Sequence, residues 1–354
     1  MSLIRRPPTF GGFTVRVSRG FLVTEDLSLA DATTGAIDSF GRRFDAVVSN
    51  VETVIQGKRD VVELLVLAMV SEGHVLIEDV PGVGKTQLAK SLARSIEGRF
   101  NRIQFTPDLL PSDVTGVSIW DRNAGRFEFQ AGPIFANIVV GDEINRASPK
   151  TQSALLEAME ERQVTSDGIT RTLEPPFMVI ATQNPLEHEG TYPLPEAQLD
   201  RFMMRVVIGY PSREKELEIL DTHGVRSTFH DLDSVASLND VQEMVDIARQ
   251  ITVSGSVKNY IVDLVDGTRL HPDVLLGASP RSALFLQRIS RSRAAASGRD
   301  YVMPDDVKAL VGPVLEHRLA LRPEAQMRGE TIGSIIEDVL ARIRVPGTTS
   351  RIAT

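Results

Sequence analysis

Short apolar runs alternate with amphipathic stretches between residue 45 and about residue 211. The runs "HVLIE", "RIQF", "NIVVG" and "FMVIAT" are rich in β-branched or aromatic residues, as buried parallel strands are. The stretch "GKTQLAKSLARSI" follows the first run and places Leu88, Leu92 and Ile96 along one helical face. Strands that alternate with helices predict an α/β fold with a doubly wound parallel sheet over residues 45–211.

The remaining chain has two other patterns. Helical periodicity dominates after Pro211, in stretches such as "DVQEMVDIARQI" and "RSALFLQRISRSRAAAS", so we predict a second, all-α domain over residues 212–345. Residues 1–44 are rich in Gly, Pro, Ser and Thr without sustained periodicity, which predicts a flexible N-terminal extension. Residues 346–354 are interpreted as a tail.

Two segments interrupt the α/β alternation with β-hairpin patterns. "TGVSIWDRNAGRFEFQAG" has alternating runs on both sides of residues 123–125, and "RQVTSDGITRTLEPP" predicts a second hairpin around Asp167 and Gly168. Such hairpins serve either as working surfaces or as plain connections, and the sequence leaves both readings open. Between them, Ser148 and Pro149 predict the start of a helix.

Composition narrows the classes of function. The chain has 354 residues, a formal net charge of -8 and no cysteine. The acidic balance makes a nucleic-acid partner unlikely, and the lack of cysteine excludes disulfides, thiolate catalysis and cysteine-bound metals. No apolar run reaches the roughly 18 residues needed to cross a bilayer, and no apolar signal segment follows "MSLIRRPPTF", so we expect a cytoplasmic protein.

The stretch "VLIEDVPGVGKTQLAK" has the pattern of a phosphate-binding loop, although Asp79 stands where the usual pattern has its first glycine. Gly82 and Gly84 let backbone N–H groups approach a phosphate, and the next helix points its positive N-terminus at the same place. Asp79 precedes these amides, so it affects the entry turn more than the phosphate contacts. The predicted nucleotide-binding residues of this loop are Pro81, Gly82, Val83, Gly84, Lys85, Thr86 and Gln87.

The context of the loop supplies the rest of an ATP site. Lys85 is placed to reach the β- and γ-phosphates, and the Thr86 hydroxyl to ligate Mg²⁺. The run "NIVVG" ends in Asp142, which can hold Mg²⁺, and Glu143, which can orient and activate the attacking water. "FMVIAT" leads to Asn184 at the same sheet edge, where this residue could position the water; an asparagine before proline is also a common turn.

These motifs, in this order, resemble the MoxR family of AAA+ ATPases over about residues 45–345. The resemblance rests on "HVLIEDVPGVGKTQLAK", "RIQFTPDLLPSDVTG", "FQAGPIFANIVVGDEINRASPKTQSALLEAMEERQVT", "VIATQNPLEHEGTYPLPEAQLDRF" and "GASPRSALFLQ". It extends to Asp79, which implies that the loop binds ATP. Gly141 stands where the family has alanine, and residues 1–44 have no counterpart in the family pattern.

The resemblance implies roles for individual residues. Lys85 with Thr86 is similar to Walker A, Asp142 with Glu143 to Walker B, and Asn184 to sensor 1. The C-terminal helical domain becomes a lid.

Two arginines and an adenine pocket complete the implied site. Arg281 matches sensor 2, a lid arginine that reaches the γ-phosphate. Arg201 resembles the arginine finger that a neighbouring subunit supplies, with Arg205 as the alternative. The segment "VIQGKRDV" resembles the stretch that packs on adenine. The implied adenine-pocket residues are Ile55, Gln56 and Gly57.

The implied function is Mg²⁺-dependent ATP hydrolysis to ADP in a homo-oligomeric ring, hexameric by resemblance. The ring would work as a chaperone in the maturation of, or metal-cofactor insertion into, a client complex, together with a protein that carries a von Willebrand A domain. Alternatives are a magnesium-chelatase-like ATPase subunit, a motor acting on DNA, a binding scaffold with little turnover and a small-molecule kinase. The six histidines, including His188 in a polar loop, predict no metal site beyond Mg²⁺.

Overall fold

The computed structural model describes residues 23–184, 191–217 and 232–347, with side chains from residue 34 onwards. The helices are α1 (Val23–Glu52), α2 (Arg59–Val70), α3 (Lys85–Ser95), α4 (Pro111–Thr115), α5 (Pro149–Glu161), α6 (Glu196–Leu199), α7 (Leu238–Gln250), α8 (Gly255–Leu270), α9 (Pro280–Ala296), α10 (Pro304–Leu315), α11 (Pro323–Met327) and α12 (Ile332–Arg342). The strands are β1 (Val75–Glu78), β2 (Phe100–Gln104), β3 (Gly116–Asp121), β4 (Arg126–Ala131), β5 (Ile138–Asp142), β6 (Gln163–Ser166), β7 (Ile169–Thr172), β8 (Met178–Gln183), β9 (Met204–Val206), β10 (Val274–Leu276) and β11 (Ala320–Leu321).

Five parallel strands form the central sheet, in the order β2-β5-β8-β1-β9. Strand β1 lies between β8 and β9, with Val75 opposite Ile180 on one side and Met204 on the other. The predicted α/β fold is confirmed, and all four predicted strands are present. Because parallel strands share one direction, the segments that follow β1, β5 and β8 meet at the same sheet edge.

Both predicted hairpins are present, β3 with β4 and β6 with β7, as two-stranded antiparallel sheets outside the central sheet. The Trp120 ring contacts the Phe127 ring edge-on at a centroid distance of 5.1 Å, within the first hairpin. The Ser118 hydroxyl donates to the Asp167 carboxylate, which joins the two hairpins. The helix predicted from Ser148 and Pro149 is α5, with Ser148 at its N-cap position.

Helix α1 differs from the predicted flexible extension, because it runs continuously across residue 44. Phe40 is fully buried and its ring stacks on Phe44 at 6.2 Å, and α1 packs against α2, α3 and α9. The buried positions Ile37, Phe40, Phe44 and Val47 recur every three or four residues, as one face of a helix does. Intervening glycines and hydroxyl residues obscure this periodicity in the sequence.

The C-terminal region is mainly helical, as predicted, but it also contains the antiparallel pair β10–β11. Helix α9 lies centrally and packs against α2, α7, α8 and α10. One continuous apolar cluster includes residues of α2, β1 and the C-terminal helices, so the lid and the α/β domain share a core. Among the helices that the structure describes, none combines the length and apolarity needed for a membrane span.

Candidate functional site

The phosphate-binding loop joins β1 to α3 at the carboxyl edge of the sheet. Gly82 and Gly84 have φ angles of 86° and 91°, in the left-handed region that side chains other than glycine rarely adopt. Helix α3 begins at Lys85, directly after Gly84, so its unpaired N–H groups face the loop. The loop conformation therefore requires both glycines.

Asp79 has a structural role that the usual glycine could not fill. Its buried carboxylate accepts hydrogen bonds from the backbone N–H groups of Ile208 and Gly209 at 2.7 and 2.6 Å, through Oδ2, and from Val80 at 2.8 Å, through Oδ1. Asp79 thus ties the entry of the loop to the segment that follows β9. This segment leads from the α/β domain towards the lid.

Lys85 lies within the loop with its ammonium group bound to protein oxygens. Its Nζ donates to the main-chain oxygen of Asp79 and, at 3.5 Å, to that of Gln183. Burial lowers the pKa of Lys85, while the carboxylates of Asp79, Asp142 and Glu143 act in the opposite direction. A partly desolvated ammonium next to the loop amides is suited to bind phosphate oxygens.

The two acidic residues of the predicted Walker B motif, Asp142 and Glu143, are hydrogen-bonded to the neighbouring strand. The Thr182 hydroxyl in β8 donates to Oδ1 of Asp142 at 2.5 Å and accepts from the backbone N–H of Glu143 at 3.0 Å. Glu143 has a φ of 56°, an uncommon value for a residue other than glycine, which turns the chain sharply after β5. Thr182 was not predicted from the sequence, although it is the penultimate residue of the buried strand β8.

Strand β2 brings two further polar side chains to the acidic pair. Arg102 Nε donates to Oδ2 of Asp142 at 3.0 Å, and Gln104 Nε2 donates to Oε2 of Glu143 at 2.8 Å. Arg146 Nη1 lies 3.0 Å from the same Glu143 oxygen. Arg102, Gln104 and Arg146 were not predicted from the sequence. The sequence pattern in which Arg102 and Gln104 flank the buried Ile103 could have indicated two of them, because alternate residues share one face of a strand.

One cavity collects most of the predicted ATP-site residues. Its lining residues are Pro81, Gly82, Gly84, Lys85, Thr86, Gln87, Arg102, Asp142, Glu143, Thr182 and Asn184. The side chain of Val83 instead packs against the apolar core.

The donor set in this cavity fits Mg²⁺. The described residues form no cluster of three or more His, Cys, Asp and Glu side chains suited to a metal. Mg²⁺ in nucleotide sites uses one or two protein oxygens together with phosphate and water oxygens. Thr86 and Asp142 can supply those protein oxygens, because both line the cavity.

One of the predicted adenine-pocket residues, Ile55, lies next to the loop. A Cβ atom built on Gly84 would lie 3.8 Å from Cδ1 of Ile55, so Ile55 contacts the loop from the side of α1. The side-chain oxygen Oε1 of Gln56 is buried and has no hydrogen-bond partner within the described part of the chain. Gly57 has a φ of 71°, which turns the chain between α1 and α2.

Arg201 and Arg281 lie together, away from the phosphate-binding loop of their own chain. Nε of Arg201 lies 3.0 Å from Oε2 of Glu160, and Nη2 of Arg281 binds the other oxygen of Glu160. The cavity that they line includes residues 72–74, which precede β1, whereas the loop follows β1. Four strand residues separate these edges by about 13 Å. The structure therefore does not bring Arg281 to the phosphates of its own chain, as a sensor 2 role in the same subunit would require.

Arg205 has intramolecular partners on both sides. It lies in β9 and binds Glu78 at 2.9 Å and Glu316 at 2.7 Å. Burial alone would lower the pKa of Arg205, but the hydrogen bonds that it donates to Glu316 and Glu78 raise its pKa above the ordinary value. Its charge is therefore already compensated within one subunit.

Comparisons with known proteins agree with this geometry. Residues 74–204 match the family model of the ATPase family associated with various cellular activities (AAA), and residues 266–339 match the AAA lid domain. Chaperone MoxR1 of Mycobacterium tuberculosis (strain ATCC 25618 / H37Rv) is 42% identical over 311 residues, which cover 85% of this chain and 82% of that protein. The chain belongs to the MoxR family of AAA+ ATPases.

Two further matches cover similar lengths of the chain. Protein YeaC of Bacillus subtilis (strain 168) is 49% identical over 299 residues, which cover 84% of this chain and 93% of that protein. The crystal structure of a protein from Cytophaga hutchinsonii that is described as an ATPase superposes on this chain with a TM-score of 0.83. The two sequences are 39% identical, and the match covers 90% of this chain and 99% of that one. The MoxR assignment therefore applies to the α/β domain and the lid together.

The sequence-predicted MoxR site is thus divided between two sheet edges. The carboxyl edge carries the loop, the acidic pair and Asn184, while the opposite edge carries Arg201 and Arg281. The described chain holds no His-rich metal site. His188 lies outside the described residues.

Proposed function

We propose that this MoxR protein hydrolyses ATP at the interfaces of a homo-oligomeric ring, with the loop of one subunit facing the arginines of the next. The observation that carries the proposal is the separation of Arg201 and Arg281 from the loop of their own chain. A head-to-tail ring joins two different surfaces of successive subunits, so each interface can unite the two halves of the site. The family resemblance suggests six subunits.

In this proposal, each residue of the loop cavity has a distinct task. Lys85 exchanges its main-chain oxygen partners for the β- and γ-phosphates, and Asn184 orients the attacking water. Glu143 withdraws the proton of that water once it leaves Gln104 and Arg146. Thr86 and Asp142 hold Mg²⁺, which neutralises the charge on the phosphate oxygens.

The same proposal assigns the adenine ring to the segment between α1 and α2. The Oε1 atom of Gln56, which has no hydrogen-bond partner among the described residues, is an acceptor suited to the exocyclic amino group of adenine, and Ile55 supplies an apolar contact. Gly57 allows the turn that places both side chains. This assignment predicts a preference for ATP over GTP, because guanine has a carbonyl oxygen in place of that amino group.

We further propose that ATP turnover drives chaperone-like remodelling of partner complexes in the cytoplasm, in their maturation or metal-cofactor insertion. The Mycobacterium relative is named as a chaperone, which supports this class of activity. The family resemblance suggests a protein with a von Willebrand A domain as the adaptor to a client complex. The net charge of -8 argues against nucleic acid as the substrate.

ATP turnover per subunit, measured against protein concentration, tests the interfacial site. We expect the rate to rise as rings assemble, and Glu143→Gln and Arg201→Ala to abolish it while nucleotide still binds. Arg342→Ala removes an exposed arginine of the lid and serves as a matched control with wild-type turnover. A rate per subunit that is independent of concentration and of Arg201 would contradict the proposal. Loss of turnover in Arg205→Ala but not in Arg201→Ala would reassign the finger.

A further inference from the structure

The segment that carries Arg201 is held by a side chain of the lid. Arg318 has a side chain that is 2% exposed, and its Nε donates to Oδ1 of Asp200 at 2.8 Å. Its two Nη atoms also donate to main-chain oxygens on both sides of Arg201, those of Asp200, Phe202 and Met203. The backbone around Arg201 is therefore bound by one buried guanidinium group.

The same carboxylate also binds the helix that carries Arg281. The Ser279 hydroxyl lies 2.8 and 2.9 Å from the two oxygens of Asp200. Ser279 occupies the N-cap position of α9, two residues before Arg281, yet its side chain makes no capping bond to that helix. A serine at an N-cap ordinarily accepts from a backbone N–H of the first turn. Here its hydroxyl donates to Asp200 instead.

Arg318 contacts α9 at a second point as well. Its guanidinium carbon lies 5.2 Å from the ring centroid of Phe285, one helical turn after Arg281. Burial lowers the pKa of Arg318 to about 10, and the hydrogen bond to Asp200 opposes this effect, so the group stays charged at neutral pH. Leaving a buried charge without its partner costs much free energy, so the Asp200–Arg318 ion pair resists separation. The pair therefore connects its two segments rigidly.

We propose that Asp200, Arg318 and Ser279 are positioning residues that fix Arg201 and Arg281 in one arrangement for the ATP of the neighbouring subunit. The inference rests on the proposed interfacial site. Asp200 adjoins Arg201 in the chain, and through Ser279 it also holds the first turn of α9. Neither Asp200 nor Arg318 lines the loop cavity of its own chain. Both therefore act through the two arginines.

The proposal predicts a specific kinetic defect for Asp200→Asn. This substitution preserves size but removes the charge that binds Arg318. We expect kcat to fall about 100-fold, as a misplacement of roughly 1 Å in catalytic groups does. The affinity of the loop for a fluorescent ATP analogue in dilute, unassembled protein should stay within about twofold of wild type, because the loop is complete there. A loss of affinity equal to the loss of kcat would overturn the proposal.

Ser279→Ala is the milder variant, because it removes one hydroxyl and leaves the ion pair intact. It keeps the inference testable if Asp200→Asn fails to fold. We expect kcat to fall about tenfold, with unchanged nucleotide affinity. Ser297→Ala, at the exposed C-terminal end of the same helix, is the matched control with wild-type kcat. Equal activities of these two variants would contradict a positioning role of Ser279.

Mixed rings separate this inference from the proposed function. Glu143→Gln subunits have an inactive loop site but intact arginines, so they should restore turnover at the loop sites of Asp200→Asn subunits. With random mixing in equal amounts, on the order of one quarter of the interfaces would be active in a head-to-tail ring. Arg201→Ala mixed with Glu143→Gln should recover similarly. If that mixture stays inactive, the interfacial site itself fails. If it recovers and the Asp200→Asn mixture does not, only the positioning role fails.

Discussion

Arg201 and Arg281 bind the two oxygens of one carboxylate, that of Glu160 at the end of α5. Arg201 belongs to the α/β domain and Arg281 to the lid. The resemblance implies that Arg201 acts on the nucleotide of a neighbouring subunit and Arg281 on that of its own subunit. Their shared partner places them on one surface, at the end of the sheet opposite their own loop. The length of strand β1, about 13 Å, separates the two ends. A lid arginine and a finger arginine can therefore meet the same neighbouring nucleotide.

This arrangement predicts that Arg281→Ala impairs turnover without weakening nucleotide binding by the dilute subunit. Removal of an arginine that stabilises transferred phosphoryl charge costs about 10³-fold in kcat or more. Affinity for ADP and ATP should remain that of wild type, because Arg281 does not line the loop cavity. Titration calorimetry below the assembly concentration measures the affinity, with Lys85→Ala as the non-binding control. A weakened affinity of Arg281→Ala would place this residue in the site of its own chain.

Arg102 should compete with Mg²⁺ for Asp142, because its guanidinium group binds that carboxylate directly. The arginine is 47% exposed, so the ion pair stabilises the metal-free form by less than about 1 kcal/mol. Arg102→Ala is therefore expected to lower the Mg²⁺ concentration for half-maximal ADP binding about twofold to fivefold. Arg99→Ala, at an exposed pair next to β2, is the control. A higher Mg²⁺ requirement in Arg102→Ala would mean that Arg102 itself binds the phosphates.

Asp79→Gly should destabilise the protein, although it restores the usual glycine of the loop pattern. The substitution leaves the buried N–H group of Ile208 and the partly buried N–H group of Gly209 without their acceptor. Each unsatisfied group costs about 1–3 kcal/mol, so the free energy of unfolding should fall by about 2–6 kcal/mol. Denaturant titration at neutral pH measures the change. Asp121→Gly, which removes an exposed acceptor of two backbone amides, should cost less than about 1 kcal/mol.

Acid should destabilise the fold through His74. Burial lowers its pKa to about 4, against an unfolded value near 6.5, and its ring accepts from the N–H of Val179 and donates to the oxygen of Met159. The unfolded chain therefore binds more protons between these pH values, so stability is present above pH 6.5 and is lost as the pH falls towards 4. The free energy of unfolding should be lower at pH 5 than at pH 7, by about 2 kcal/mol, because of His74.

The control for this pH effect is His74→Gln, which cannot titrate. Its free energy of unfolding should be lower at pH 7 but should change less between pH 7 and pH 5. Because burial also lowers the pKa of His317 well below its ordinary value, part of the acid sensitivity should persist in the variant. An identical pH dependence in both proteins would contradict the assigned pKa of His74.

Local patterns were enough to predict the loop-side half of the site. Apolar runs revealed the parallel strands, and parallel strands bring the segments after β1, β5 and β8 to one edge. Asp142 ends β5, Glu143 and Asn184 directly follow β5 and β8, and Lys85 begins the helix after the loop that follows β1. Their proximity therefore depends mainly on strand order and direction. Helix α1 was missed because its buried face had to be recognised through weakly periodic, glycine-containing sequence.

The sequence by itself therefore determined the fold class and predicted most of the residues that line the loop cavity, because both follow from short-range patterns and a shared strand direction. Only the tertiary structure decided where Arg201, Arg205 and Arg281 lie. Their positions depend on long-range contacts, Glu160 from α5 and Arg318 from the lid, which no local periodicity encodes. Arg205 differs from the other two arginines because Glu78 and Glu316, which come from distant parts of the chain, compensate its charge. Arg201 and Arg281 lie instead at the opposite sheet edge.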